Sequence, residues 1–248
     1  MVVLGLALSL VIGVSLGLLG GGGSTLTVPV IHYVFGVETH QAIALSLVVV
    51  GATSLVALIP HARAGRVQWK TGLAFGLACM VAAFFGGKLG GALPGRFLID
   101  AFAVLMVVAG GAMLVRARKP LATCQPEDVS LWSVLLIGVG VGLITGTLGA
   151  GGGFIIVPAL TLVGGIAIRE AVGTSLLVIA MNSAAGFAGT ASKVHLDGRL
   201  LIGVTAVAVA GTFFGARLGH RLSAQHLQRA FGWFVIVVGL LMLVRELA

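Results

Sequence analysis

The sequence predicts an all-α polytopic membrane protein of about eight transmembrane helices, in two homologous four-span repeats whose first helices are broken by glycine. Three observations carry this. The chain is 58% hydrophobic and only 9% charged, with a mean hydropathy of +1.16. A soluble domain carries about a quarter charged residues, so lipid is the fitting solvent here. The second half repeats the first at a constant offset, and apolar runs long enough to cross a bilayer alternate with short basic loops.

The repeat is read from matched landmarks. Pro29 falls over Pro158, an offset of 129 (158 − 29). The same offset sets "GLLGGGG" at Gly17 over "GTLGAGG" at Gly146, Ser46-Leu47 over Ser175-Leu176, and Ser54 over Ser183. It also sets "FFGGKLG" at Phe84 over "FFGARLG" at Phe213, Ala101-Phe102 over Ala230-Phe231, and Met113-Leu114 over Met242-Leu243. Matching helix breakers and a matching basic residue at one offset indicate an internal duplication. Two copies suggest a transporter fold rather than a solenoid. The chain divides into a first transmembrane repeat at 1–116, a polar linker at 117–130 and a second transmembrane repeat at 131–248.

At roughly 20 residues per crossing, the spans of the first copy fall near 2–30, 40–61, 70–93 and 97–116. Those of the second fall near 131–160, 170–191, 200–222 and 226–245. The N-terminal run lacks a basic n-region and an A-x-A-like cleavage site, so it reads as a retained first span. Four spans per copy give parallel repeats. A glycine segment that folds back as a re-entrant hairpin changes the parity and gives inverted ones, and the sequence leaves both open.

The first span is the unusual one. From Val2 to Phe35 the apolar run is 34 residues, about 50 Å as a straight helix against a hydrocarbon core of about 30 Å. Gly20 to Gly23 are its natural break, and Gly149 with Gly151 to Gly153 the equivalent one. Ser24-Thr25 then read as the cap of a second half-helix. Free N–H groups and the positive dipole end at such a start attract anions. Broken helices at corresponding places in two repeats point to a transporter's substrate site. The alternative is that these glycines only let helices pack closely, which is the reading for the GxxxG pairs Gly86–Gly90 and Gly215–Gly219.

The second span adds a polar stripe. Ser46 and Thr53, seven apart, share a helix face; their equivalents are Ser175 and Asn182, with Thr174 and Ser183 beside them. Such groups line a cavity or bond their own backbone. The candidate substrate-binding residues are thus Gly22, Gly23, Ser24, Thr25, Ser46 and Thr53, with Gly151, Gly152, Gly153, Thr174, Ser175 and Asn182.

Other functions lack their residues. Every Asp and Glu falls in a loop or near a span end, so no carboxylate stands where proton relays are usually found. No GxSG, HExxH or buried Asp pair is present, and no enzyme is expected. Cys79 and Cys124 have no CxxC spacing, so neither a disulfide scaffold nor a metal site nor any cofactor is expected. The pI near 10.8 comes from Lys and Arg in short loops rather than from a basic aromatic face, so the partner is the lipid bilayer and not nucleic acid. Counted over eight spans, Arg63, Arg66, Lys70, Arg116, Arg118, Lys119, Lys193, Arg199 and Arg245 share one face. Lys88, Arg96, Arg169, Arg217, Arg221 and Arg229 share the other. Nine against six puts both termini in the cytoplasm.

The two stretches "GLLGGGGSTLTVP" and "GTLGAGGGFIIVP", followed by "AIALS" and "AVGTS", resemble the TauE/SafE-type sulfite exporter family of membrane permeases. "RAGRVQWK" and "GARLGHRLSAQHLQRAFGWFVI" are similar to that family's basic loop and its last loop and span. The second copy has "HLDGR" where the first has "VQWK", so the two loops need not be equivalent. The resemblance covers nearly the whole chain. It implies a multi-pass protein of the bacterial inner membrane that moves sulfite, organosulfonates or related small sulfur-containing anions. With no midplane carboxylate, export driven by the membrane potential is expected. A proton- or sodium-coupled carrier and a non-transporting scaffold are the rival readings, and a homodimer is left open as the assembly.

Overall fold

In the computed structural model, residues 2–116, 131–149, 151–162, 166–191, 194, 197–218 and 224–247 are described. The linker 117–130, Cys124 and Gly219 lie outside them. The described chain is helical, with no strands. Among the described residues, five helices are long and apolar enough to cross a membrane: Thr39–Arg63, Trp69–Gly90, Gly95–Ala112, Glu170–Thr190 and Gly198–Ala216. Shorter apolar helices run over Gly5–Leu18, Leu135–Leu148 and Gly232–Arg245.

The predicted first span, 2–30, is not one helix. Helix α1 (Val2–Leu19) is followed by a tight 3₁₀ segment (Gly20–Leu26), a three-residue α2 (Thr27–Pro29) and a wide turn of π-helix (Val30–Val34). This second piece runs back along α1. Gly23 sits against the backbone of Leu16 and Ile12, and the Phe35 ring lies on Gly5. A straight helix would hold Gly5 and Phe35 about 45 Å apart. The run is therefore a re-entrant helical hairpin, and the glycines are its bend. A proline-bearing apolar run that is too long to span can tilt, kink or fold back, and hydropathy does not distinguish these.

The predicted span 131–160 is divided likewise, into α6 (Leu131–Leu148) and α7 (Gly153–Leu162). Between the two predicted first spans and after them come α3 (Thr39–Arg63), α4 (Trp69–Gly90), α5 (Gly95–Arg116), α8 (Ile168–Thr190), α9 (Gly198–Leu218) and α10 (Ala224–Leu247). Each of α6, α8, α9 and α10 starts 129 residues after its counterpart α1, α3, α4 and α5 (131 − 2, 168 − 39, 198 − 69, 224 − 95).

Contacts fix the direction of every helix. At one end of the molecule Thr39 meets Gly95, and the His40 ring bonds the Leu93 carbonyl at 3.1 Å. At the other end the Gln68 N–H donates to Thr174 Oγ1 at 3.0 Å, and Gln68 Nε2 to Glu170 at 2.6 Å. α4 and α6 run in parallel, with Gly138 beside Ala78, Gly142 beside Cys79, Gly146 beside Ala83 and Gly90 beside Thr147. α1 and α9 also run in parallel, with Gly13 on Ala208 and Gly17 on Thr212. α1 therefore starts at the Thr39 end and α6 at the Gln68 end. The two halves run in opposite directions, not in the parallel arrangement that four spans would give.

The seams use glycine for close approach. A Cβ on Gly86 would lie 2.5 Å from the Leu143 carbonyl, and one on Gly215 would strike the Val14 carbonyl, the packing that GxxxG patterns serve. Cys79 is buried in the α4–α6 seam, its Sγ 3.1 Å from the Gly138 carbonyl. α1 packs on α9 and α6 on α4, while α3 crosses α8 and α5 lies along α10.

The fold-back also redistributes the basic residues. Among the described residues, Lys88, Arg96, Arg199 and Arg245 lie at the end that holds Val2 and the end of α10. Arg63, Arg66, Lys70, Arg116, Arg169, Arg217 and Arg229 lie at the opposite end. Among the described residues the nine-to-six partition counted over eight spans is overturned. The first fold-back carries Arg63, Arg66, Lys70 and Arg116 to the end opposite the termini. The second leaves Arg199 and Arg245 at the termini's end and Arg169, Arg217 and Arg229 opposite it. Arg118, Lys119, Lys193 and Arg221 lie outside the described residues.

Glu38 caps α3, and its Oε1 is 2.8 Å from His40 Nδ1. Partial burial raises its carboxyl pKa, but the His40 bonds outweigh this and hold it below the usual carboxylate range. A depressed folded value stabilises above the unfolded pKa and is lost as pH falls through the folded one. Glu38→Gln should therefore lower the melting temperature slightly at neutral pH, and the deficit should vanish in acid. Melting curves across pH check this; a deficit that persists in acid would assign the cap to packing rather than charge.

Candidate functional site

The bend of the second half is set by backbone geometry. Gly149, Gly151 and Gly152 have φ of 70°, 61° and 75°, the left-handed region that glycine enters without a Cβ penalty. The chain then starts α7 at buried Gly153, with the N–H groups of Ile155 and Ile156 bonded to the Gly152 carbonyl at 2.9 Å. The first N–H groups of a helix have no intrahelical acceptor.

The bends of the two halves meet. A Cβ on Gly151 would lie 3.2 Å from the Cβ of Ser24 and 2.5 Å from Cγ1 of Val50. Val50 is the twelfth of the 25 residues of α3, close to its middle. Ser46, one turn earlier on α3, donates its hydroxyl to the carbonyls of Ile43 at 2.7 Å and Gly149 at 2.9 Å. α3 thereby fastens the bend of the other half.

Ser24 and Thr25 are buried, but they lie inside the 3₁₀ segment. The N-cap of α2 is Leu26, with no side-chain cap bond. The expected Ser24-Thr25 cap of a second half-helix is therefore not formed, because the chain stays helical through the bend and exposes no fresh helix start there. Gly22 lies in the same segment, and Gly23 packs directly on the α1 backbone at Ile12 and Leu16.

The polar stripe is divided in its employment. Thr53 Oγ1 is 2.7 Å from the Val49 carbonyl and Ser175 Oγ 2.8 Å from that of Val172, so both hydroxyls bond their own helix. Thr174 accepts from the Gln68 N–H at the start of α4, near the molecule's end. The structure does not bring it to the central group. Asn182 is fully buried, and its Nδ2 donates to Thr145 Oγ1 at 2.9 Å. Thr145 in turn touches Gly152, at 2.7 Å from a Cβ placed there, so Asn182 sits one side chain from the start of α7.

Buried polar atoms with no hydrogen-bond partner among the described residues include Thr27 Oγ1, Ser54 Oγ, Asn182 Oδ1 and Ser183 Oγ. Ser54 and Ser183 occupy equivalent positions at the 129-residue offset. Ser183 faces Gly51, 3.4 Å from a Cβ placed there, at the crossing of α3 and α8. Thr27, Thr145 and the Ser54–Ser183 pair are not among the candidates that the sequence singled out. The repeat alignment contained the signal, since a serine kept at one offset inside a span stood next to the stripe. Among the described residues no group of His, Cys, Asp and Glu could hold a metal ion.

Comparison with known proteins adds an independent line. A family model described as Sulfite exporter TauE/SafE matches residues 5–242. A probable membrane transporter protein of Xylella fastidiosa is 35% identical over 243 residues, covering 96% of this chain and 93% of that protein. Similar proteins of the same description come from Bacillus subtilis, 28% identical over 94% of this chain and 96% of the relative, and from Methanocaldococcus jannaschii, 25% identical over 96% and 95%.

Proposed function

The chain belongs to the sulfite exporter TauE/SafE family of multi-pass membrane transporters, and on that premise we propose that it exports a small sulfur-containing anion, sulfite or an organosulfonate, through the meeting point of its two glycine bends. One observation carries the reading: Gly151 of one half lies against Ser24 of the other beside the middle of α3, and buried Asn182 bonds the Thr145 that touches the adjacent Gly152. Backbone N–H groups at the start of α7 would face the anion, and Asn182, Ser54 and Ser183 would orient it. An Asn side chain serves as donor or acceptor according to its flip, which is set by its partners.

The architecture supporting this is a pair of inverted repeats, each one re-entrant hairpin and three crossing helices. Two such halves hold one site between them and can open it to either face in turn. Among the described residues Lys and Arg are in excess opposite the termini, which supports a cytoplasmic position for that face and both termini outside, the reverse of the orientation that eight spans gave. The basic cytoplasmic loops would then gather anions before export.

Export needs no proton relay. An interior negative by 100 mV expels each negative charge with about 2.3 kcal/mol, which supports a gradient of about fortyfold for a monovalent anion. The test is flux of sulfite and small sulfonates in proteoliposomes of the purified chain, with the potential clamped by potassium and valinomycin. Flux should follow the clamped potential. Flux that ignores it and follows an imposed proton or sodium gradient would replace the uniporter with a coupled carrier, and no flux of any anion would leave a scaffold.

A further inference from the structure

Away from the bends, a groove of about 270 Å³ lies between α1, the returning piece of the first hairpin and α10. Its walls are apolar, with Leu8 and Val11 on α1, Val30 on the returning piece, and Phe234, Val238 and Leu241 on α10. Val11, Phe234 and Leu241 are exposed, so the groove opens sideways toward lipid. It ends at Arg245, whose guanidinium stacks 4.9 Å over the Tyr33 ring. Arg245 pairs with no carboxylate among the described residues. Tyr33 and Arg245 also border a second, polar cavity of about 430 Å³ that includes His32 and Glu38. Glu38 is engaged by His40 at 2.8 Å.

Two features select the occupant. From Phe234 to Arg245 is eleven residues, about 16 Å along a helix, which is half the thickness of a hydrocarbon core of about 30 Å. The groove is as deep as one leaflet. At its mouth, where a headgroup would lie, stands a guanidinium with a stacked face and free edges, which suits a phosphate oxygen pair.

We propose that this groove binds an anionic phospholipid of the leaflet nearest the termini, one acyl chain lying between α1 and α10 and the phosphate held by Arg245. The lipid braces the outer side of the piece whose inner end carries Ser24 and Thr25. The proposal does not depend on which anion is transported.

Native mass spectrometry of the delipidated full chain tests it, with phosphatidylglycerol, diacylglycerol and inorganic phosphate as separate probes. Phosphatidylglycerol should bind the unaltered protein. Arg245→Gln should weaken binding about fivefold, the worth of one interfacial cation, and Arg245→Lys should restore most of it. Val238→Trp, which fills the groove, should weaken it with Arg245 intact. Equal binding by Arg245→Gln, or by Val238→Trp, overturns the proposal. So does diacylglycerol binding as well as phosphatidylglycerol, which leaves a groove without a headgroup site. Inorganic phosphate competing fully for the site also overturns it, in favour of a free-anion site.

Discussion

Gly23→Ala should cut transport by about tenfold or more. A Cβ there would lie 2.8 Å from the Ile12 carbonyl and closer still to the Leu16 nitrogen, both backbone atoms that no rotamer change can move aside. The returning piece must lift off α1, at a cost of about 1–3 kcal/mol for overpacking. Since Ser24 follows directly, that shift moves the point where the two bends meet. An energy of this size is worth about tenfold to hundredfold in the occupancy of a site built there. Gly152→Ala should act alike, because its φ of 75° strains any L-residue and its Cβ would press on Thr145. Gly111→Ala is the control: it lies in α5, and a Cβ there would have no atom within 4 Å. It should leave flux unchanged and raise the melting temperature slightly, as expected for alanine over glycine in a helix. Proteoliposome uptake, normalised to inserted protein, reads all three. Full uptake by both Gly23→Ala and Gly152→Ala would remove the bends from the transport path.

Asn182→Leu should separate transport from stability. Its Nδ2 bond to Thr145 is one side-chain bond between membrane helices, and such bonds average about 0.6 kcal/mol. Its Oδ1 is buried with no partner among the described residues, so a leucine of similar size removes an unsatisfied atom along with that bond. The melting temperature should hold or rise. Flux should fall by more than about tenfold if the amide contacts the anion, the size of a hydrogen bond to a charged group. Thr145→Val, which removes only the partner, should cost less flux. Asn182→Leu with lower stability and undiminished flux would make Asn182 a structural bridge.

The sequence carried the helix positions closely. Hydropathy located the long spans, and the 129-residue offset, read from Pro29 and Pro158, recurs in the first residues of four pairs of helices. Gly20 to Gly23 were legible as a break, since glycine runs are costly in a helix interior. The direction taken after the break was not. It depends on contacts such as Phe35 on Gly5 and Gly23 on Leu16, between residues whose types say nothing of each other. That one unknown changed the parity of the first half and with it the face, relative to the termini, on which Arg63, Arg66 and Lys70 lie. The stripe shows the same limit. Helical spacing puts Thr53 and Ser46 on one face, but only tertiary packing decides that Thr53 bonds its own helix while Ser46 reaches Gly149. Thr174 was drawn in by adjacency to Ser175, yet it holds the Gln68 N–H at the molecule's end.

Because α1 rests on α9 and α6 on α4, each half covers the glycine seam of the other and not its own. On the duplication proposed above, a lone ancestral half could have closed that seam only against a second copy threaded through the bilayer the opposite way. Such a pair has no sidedness of its own: what one copy presents outward, the other presents inward. A linker between the copies would make their opposite insertion heritable in one gene. It would also free the two sets of loops to diverge, so that Lys and Arg could gather at one face and give an even-handed assembly an inside and an outside.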